Sequence, residues 1–301
     1  MITASNLKKL LLFCLIMGEV SLNPLYSSEL QQRADSMQPG TWAALETNGM
    51  NQEFLNTSGY NGASFSILQY ANKAQWDPIS EKYLFLGSPH DNPFKFIIYD
   101  SKSNTWESGP LPNSCMELGH NHGGCWVHSY YYSAIDPNAG KFYFYFLQGI
   151  AEYDIASRTW RQLPGKIEQA NALYGGLSYF PDERKFVYVA GEYGLHEYNM
   201  STLSWTFLDN YSMGNYHNIS LYNPIHNITF FGGGNNSRSI YRMDSNGVVT
   251  SLGQAPRDLV LCSSIVTLDP ISGNYLICYD DGSFYDFDAM NNTWSMLPSP
   301  P

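Results

Sequence analysis

The sequence predicts an all-β fold: a β-propeller of four-stranded antiparallel blades, with five complete repeats and one extra N-terminal strand. Three observations carry this. The 301 residues are 44% hydrophobic and 15% aromatic, with 23 Tyr, 16 Phe and 7 Trp, a composition that excludes disorder. Only 14% are charged, against about 25% in an ordinary soluble domain, which excludes a long coiled coil and leaves little for solvated helical surface. A Tyr-to-Trp spacing recurs along the chain, with a Pro marker upstream of each copy.

The first segment, 1–28, reads as a signal peptide. Lys8 and Lys9 supply the positive start, and Leu10 to Met17 form an apolar run of eight residues. That run is too short for a bilayer core of about 30 Å. The alternative is a buried N-terminal helix. No other apolar run is long enough to span a membrane, so the expectation is an exported chain, secreted or periplasmic, without an integral membrane segment after cleavage. Residues 29–64 follow as an N-terminal segment holding one strand, Gly40–Leu45, because Trp42 to Leu45 repeats the spacing of Trp160 to Leu163.

The repeats occupy 65–301. YDSKSNTW (Tyr99–Trp106), YDIASRTW (Tyr153–Trp160), YNMSTLSW (Tyr198–Trp205) and FDAMNNTW (Phe287–Trp294) each place an aromatic seven positions before a Trp. A degenerate copy runs from Tyr241 to Val248. Leu-Pro or Leu-Asp follows four of the five copies, at Leu111, Leu163, Leu208 and Leu297. Upstream stand Pro78, Pro137, Pro181, Pro224 and Pro270. The distance from Pro to aromatic is 21 residues in the first copy, 16 in the second and 17 in the others. In each unit one apolar strand ends at the Pro turn and a second follows at once. A third ends in the Tyr-Asp pair and a fourth begins at the Trp. The period is about 47 residues, the length of a propeller blade. A blade has two apolar faces that only neighbouring blades can bury, and large aromatics fill the wedge between them.

Tyr-Asp-x-x-x-x-x-Trp followed by Leu-Pro resembles the kelch repeat, and also the propeller of galactose oxidase. The resemblance spans Phe65 to Pro298. One departure stands out: a kelch repeat carries a Gly-Gly pair after its second strand, and here only Gly232-Gly233-Gly234 provides one. The other copies have single glycines at Gly87, Gly149, Gly191 and Gly282. The ring is five-bladed with the N-terminal strand docked beside the last blade, or six-bladed with one blade incomplete.

Propeller geometry sends the loops between second and third strands, and those between blades, to one face. That face gathers His90, His120, His122, His128, Glu168, Glu192, Tyr216, His217, Arg238 and Arg257. His196 falls in a strand and His226 on the opposite face. Loops on a rigid scaffold are where binding residues collect, so this face is the expected site. The stretch Cys115–His128 is the densest part of it. His120 and His122 read as ligands of a Zn or Cu ion, with His90 or His217 converging, or as exposed histidines in a Gly-rich loop closed by a Cys115–Cys125 disulfide. No cofactor is required by any motif.

Tyr216-His217 invites comparison with the copper-binding Tyr-His pair of galactose oxidase. That enzyme also needs a Cys-crosslinked Tyr and a further His beyond the propeller, and neither can be assigned here. No nucleophile elbow, phosphate loop or His-Glu-x-x-His is present. Glu168 and Glu192 are candidates for paired carboxylates across the channel.

The net charge of −11, from 16 basic and 27 acidic residues, argues against nucleic acid and against an anionic membrane surface. Cys115, Cys125, Cys262 and Cys278 remain after signal removal. Cys115 and Cys125 bracket nine residues and are the expected disulfide. Cys262 and Cys278 are free thiols, or a pair across a bulged strand. Seven Asn-x-Ser/Thr sequons occur, at Asn56, Asn199, Asn210, Asn218, Asn227, Asn235 and Asn291. The functional expectation is a ligand-binding module for a glycan or a protein. Tyr193, Tyr216, Trp126 and Asn171 would stack on and hydrogen-bond a sugar. The alternative is an enzyme on the same face, either a sugar isomerase or lyase or a metal-dependent oxidoreductase. A third possibility is an assembly component with no small ligand.

Overall fold

Both sequence markers resolve into turn chemistry. The Asp or Asn before each Pro is an Asx-turn acceptor. Asp77 accepts from the Ser80 N–H at 3.0 Å, Asp136 from Asn138 at 3.0 Å, Asn223 from Ile225 at 3.0 Å and Asp269 from Ile271 at 3.0 Å. Phe180 stands in this place in the third copy, and there the Pro181 carbonyl accepts from Arg184 at 3.3 Å. Three residues after every Pro the backbone turns left-handed, at Glu81, Gly140, Arg184, Asn227 and Gly273, with φ from 49° to 75°. The Asp of each Tyr-Asp does the same for the later turn: Asp154 accepts from Ser157 at 2.8 Å and Asp288 from Met290 at 2.8 Å. The residue two before each Trp (Asn104, Arg158, Leu203, Asn292) is again left-handed, with φ from 53° to 59°.

The structure, a computed structural model, describes residues 28–38, 41–58, 64–68, 71, 73–88, 94–112, 129–146, 148–168, 174–260 and 263–299. Helices α1 (Glu29–Asp35) and α2 (Gln52–Leu55) and the short hairpin of β1 (Asn56–Ser58) and β2 (Ser64–Ser66) precede the blades. Blade 1 is β3 (Gln75–Asp77), β4 (Lys82–Gly87), β5 (Lys95–Asp100) and β6 (Thr105–Ser108). Blade 2 is β7 (Ser133–Asp136), β8 (Lys141–Phe146), β9 (Gly149–Asp154) and β10 (Thr159–Gln162). Blade 3 is β11 (Gly176–Phe180), β12 (Lys185–Ala190), β13 (Gly194–Asn199) and β14 (Ser204–Asp209). Blade 4 is β15 (Asn218–Asn223), β16 (Ile228–Gly233), β17 (Ser239–Asp244) and β18 (Val249–Gln254). Blade 5 is β19 (Ser264–Leu268), β20 (Tyr275–Tyr279), β21 (Phe284–Asp288) and β22 (Thr293–Leu297). Each blade is a four-stranded antiparallel meander, and the described residues form a ring of five blades. No helix among them is long and apolar enough to cross a membrane.

The repeated aromatics are cross-strand partners. Tyr99 pairs with Trp106, Tyr153 with Trp160, Tyr198 with Trp205 and Phe287 with Trp294, with ring centroids 5.1, 5.0, 5.1 and 4.0 Å apart. Such pairs contribute about 0.5–1.5 kcal/mol each beyond their buried area. They also receive the neighbouring blade. Phe96 of blade 1 lies 5.0 Å from Tyr153 and 5.5 Å from Trp160, Tyr145 of blade 2 lies 5.7 Å from Trp205, and Phe230 of blade 4 lies 5.4 Å from Phe287. The segment after a blade supplies acceptors, from the Pro just before Leu111 in one case and the Pro just after Leu163 in the other. The Trp160 indole donates to the Pro110 carbonyl at 2.7 Å, and the Tyr198 hydroxyl donates to Pro164 at 2.7 Å.

The outer face of blade 1 is covered by the N-terminal segment. Met50, Phe54, Leu55, Ile67 and Ala71 pack on Phe85, Ile97 and Trp106. Lys95 fastens this layer by donating to the Phe54 carbonyl at the end of α2, at 2.5 Å. Trp42 stands beside the last blade, its ring 5.5 Å from Phe284. Residues 41–47 carry no strand ladder, and the first backbone bridge is from Asn48 to Thr105 of blade 1.

At the axis the inner strands meet edge to edge. Ala71 bridges to Tyr130, Tyr131 bridges to Gly176, and the Leu177 N–H donates to the Tyr131 carbonyl at 2.8 Å. The approach requires glycine at 176, where a Cβ would stand 2.7 Å from the Ser220 Cβ.

Candidate functional site

Aligning the copies on their Pro markers exposes a position that repeat reading missed. Seven residues before Pro137, Pro181 and Pro224 stand Tyr130, Tyr174 and His217. These positions open blades 2, 3 and 4, on the side where the interblade loops gather. The Tyr130 ring lies 5.1 Å from the His217 ring and 6.1 Å from Tyr174. Tyr216 approaches Tyr174 to 4.2 Å. Tyr174, Tyr193, Tyr216 and His217 are half-buried and Glu192 is exposed.

The backbone beneath is cross-braced. The His217 N–H donates to the Tyr174 carbonyl at 2.8 Å, and His217 itself is left-handed with φ 65°. Asn218, fully buried, accepts from the Gly191 N–H at 2.7 Å and donates to the carbonyls of Gly214 at 2.9 Å and Gly233 at 3.0 Å. One side chain thus joins the β12–β13 turn, the loop entering blade 4 and the end of β16. That is the pre-organisation a loop-built site needs.

Burial favours the neutral forms of the phenol and the imidazole in the cluster. Burial pushes the Tyr174 phenol up, and the neighbouring Tyr216, Tyr193 and Glu192 act in the same direction, so it remains a hydroxyl donor. Burial lowers His217, against its hydrogen bond to the Asn235 side-chain oxygen. The Asn235 side-chain oxygen faces Nδ1 at 2.8 Å, which selects the Nδ1–H tautomer and leaves Nε2 unprotonated. Apolar ring faces, phenol donors, an imidazole acceptor and a carboxylate therefore share one patch.

Of the residues expected on this face, the structure brings Glu192, Tyr193, Tyr216 and His217 together. Arg238 and Arg257 belong to a second group over blades 4 and 5. Arg238 Nε donates to the Ala255 carbonyl at 2.6 Å, Arg257 pairs with Asp281 at 2.6 Å, and both lie near the buried Tyr279. Glu168 is exposed on the loop leaving blade 2. His196 lies in β13, its Nε2 2.8 Å from the Tyr193 carbonyl, and His226 lies on the opposite turn. His90, His120, His122, His128, Cys115, Cys125, Trp126, Asn171 and Cys262 lie outside the described residues. Cys278 in β20 carries a free thiol. Among the described residues no group of three or more His, Cys, Asp or Glu stands close enough to hold a metal. Asn210 and Asn291 are exposed sequon residues, whereas Asn218 is committed to the interior.

A search against protein-family models finds no match. Curated proteins give no match either. Solved structures share the fold. A structural-genomics protein of unknown function from Bacteroides thetaiotaomicron aligns at 13% identity with a TM-score of 0.56, over 83% of this chain and 61% of its own. TolB from Acinetobacter baumannii aligns at 14% identity with a TM-score of 0.50, over 80% of this chain and 58% of its own. The chain therefore spans about three fifths of the length of these two structures. At these identities the likeness is one of fold.

Proposed function

We propose that this chain is an exported propeller of the kelch type that binds a glycan on the face where the interblade loops gather. The observation that carries the reading is the half-buried cluster of Tyr174, Tyr193, Tyr216 and His217 beside Glu192, held on a braced backbone. Sugars present flat C–H faces and rings of hydroxyls, which suit aromatic faces edged by phenol, imidazole and carboxylate groups. The Tyr-Asp…Trp-Leu-Pro copies support the kelch assignment, and the N-terminal Lys8-Lys9 and apolar run support export.

The test is a glycan array probed with the wild-type protein and with a Tyr174→Ala/Tyr216→Ala variant, beside a panel of protein ligands. The reading predicts glycan hits that the double variant loses while its unfolding midpoint stays near wild type. Hits confined to proteins, or glycan hits that survive the double substitution, would overturn it.

A further inference from the structure

Lys73 is the least expected residue in the interior. It is 7% exposed and lies just before β3. Five positions before the Pro marker, the other copies have Tyr132, Gly176, Ile219 and Ile265, so blade 1 alone places a charge there. Its Nζ donates to the carbonyls of Leu177 at 2.6 Å and Ser220 at 2.7 Å. Those carbonyls belong to blades 3 and 4. The side chain therefore crosses the axis and ties three blades together, while its own carbonyl accepts from Ser133 of blade 2 at 3.2 Å.

The surroundings are oxygen dipoles and one ring. The Ser178 and Ser220 hydroxyls lie 2.6 Å apart, and the Tyr131 ring centre is 5.9 Å from Nζ. Among the described residues no carboxylate pairs with Nζ. Burial alone lowers the amine to about 7. Two carbonyl contacts at or inside the distance typical of charge-assisted hydrogen bonds act in the opposite sense and favour the ammonium.

We propose that the propeller axis is a monovalent-cation site of carbonyl oxygens and an aromatic face, and that this chain fills it with its own Lys73 ammonium. The site recognises a small cation with no paired anion, as carbonyl-lined ion sites do. Its natural occupant is covalently attached, so the site locks blades 1, 3 and 4 without an exchangeable ion. Cutting the side chain back to a methyl group removes three methylenes and the ammonium, which opens room for an ammonium or potassium ion with accompanying water, and such an ion then binds in place of the amine. An isosteric apolar chain leaves no such opening.

The experiment compares unfolding midpoints of the wild type, Lys73→Ala and Lys73→Met in ammonium, potassium and choline chlorides at matched ionic strength. Lys73→Ala should unfold about 3–6 °C higher in ammonium than in choline, the shift expected at roughly ten times the ion's Kd. Wild type and Lys73→Met should show no difference between the salts. An equal response of Lys73→Ala to all three salts, or a response of Lys73→Met matching it, overturns the proposal. Should Lys73→Ala fail to fold, the wild type provides the readout. A 15N-lysine spectrum should contain an exchange-protected ammonium signal that persists in Lys95→Met and in Lys185→Met, the latter removing the other buried lysine, and vanishes in Lys73→Met. Absence of that signal overturns the proposal.

Discussion

Trp160 and Trp205 occupy the same place in successive repeats, each pairs with the tyrosine seven positions before it, and their indole N–H groups meet different surroundings. The Trp160 indole N–H donates to the Pro110 carbonyl at 2.7 Å. The Trp205 indole N–H is buried and finds no acceptor among the described residues. Replacing each by Phe removes a comparable amount of ring surface, so the packing losses largely cancel in the comparison. Trp160→Phe then loses a net hydrogen bond, about 0.5–1 kcal/mol near the surface. Trp205→Phe relieves a buried unsatisfied donor, a gain of about 1–3 kcal/mol. The Trp160 variant should therefore be less stable than the Trp205 variant by about 2 kcal/mol. For a domain of this size that is roughly 4–8 °C in unfolding midpoint. Urea unfolding followed by far-ultraviolet circular dichroism measures both. Equal stabilities, or Trp205→Phe as the less stable variant, would refute the claim that the interblade hydrogen bond distinguishes the two sites.

Gly176→Ala should lower the midpoint by about 2–12 °C, because a methyl group 2.7 Å from the Ser220 Cβ forces inner strands of blades 3 and 4 apart, an overpacking cost of about 1–3 kcal/mol. The Asp154 carboxyl is held at about 2 by the Lys141 ammonium and the Ser157 backbone N–H, and the Ser272 hydroxyl lowers Asp269. Their contribution is full above the unfolded carboxylate value near 4 and disappears as pH falls toward about 2. Midpoints measured down through that window should decline, and Asp154→Asn should flatten the decline. Asn218→Ala should destabilise by about 2 kcal/mol or more through the orphaned Gly191 N–H and the two released carbonyls, checked by urea unfolding. Mass spectrometry of the folded protein after expression in a glycosylating host should find Asn218 unmodified, because a chain carrying a glycan on that amide could not form its buried hydrogen bonds.

What was legible in the sequence is what turns and cross-strand pairs decide locally. The Asp-Pro and Tyr-Asp markers are Asx turns followed by a left-handed residue, and the Tyr–Trp spacing is a hairpin register. Contacts of this kind lie within a few residues and repeat with the blade. The face carrying Glu192, Tyr216 and His217 followed from the same topology. Tyr130 and Tyr174 went unnoticed although they share the position of His217, because the offset becomes informative only once the inner strands are seen to meet at their ends. Lys73 was invisible for another reason: its acceptors lie 104 and 147 positions away, and no local pattern encodes them. The covering of blade 1 by Met50, Phe54 and Ile67 is likewise tertiary. The spacing of Trp42 suggested a strand, and in the structure its ring finds blade 5 while residues 41–47 make no ladder.

The location of the ligand site is tested most directly by hydrogen–deuterium exchange of the wild-type protein with and without a saturating array-selected glycan. The account predicts slowed exchange in peptides covering Tyr174–Gly176, Gly191–Gly194 and Gly214–His217, with the opposite turns at Pro78, Pro137, Pro181 and Pro224 unchanged. Protection confined to those opposite turns, or none at the tyrosine cluster, would contradict it.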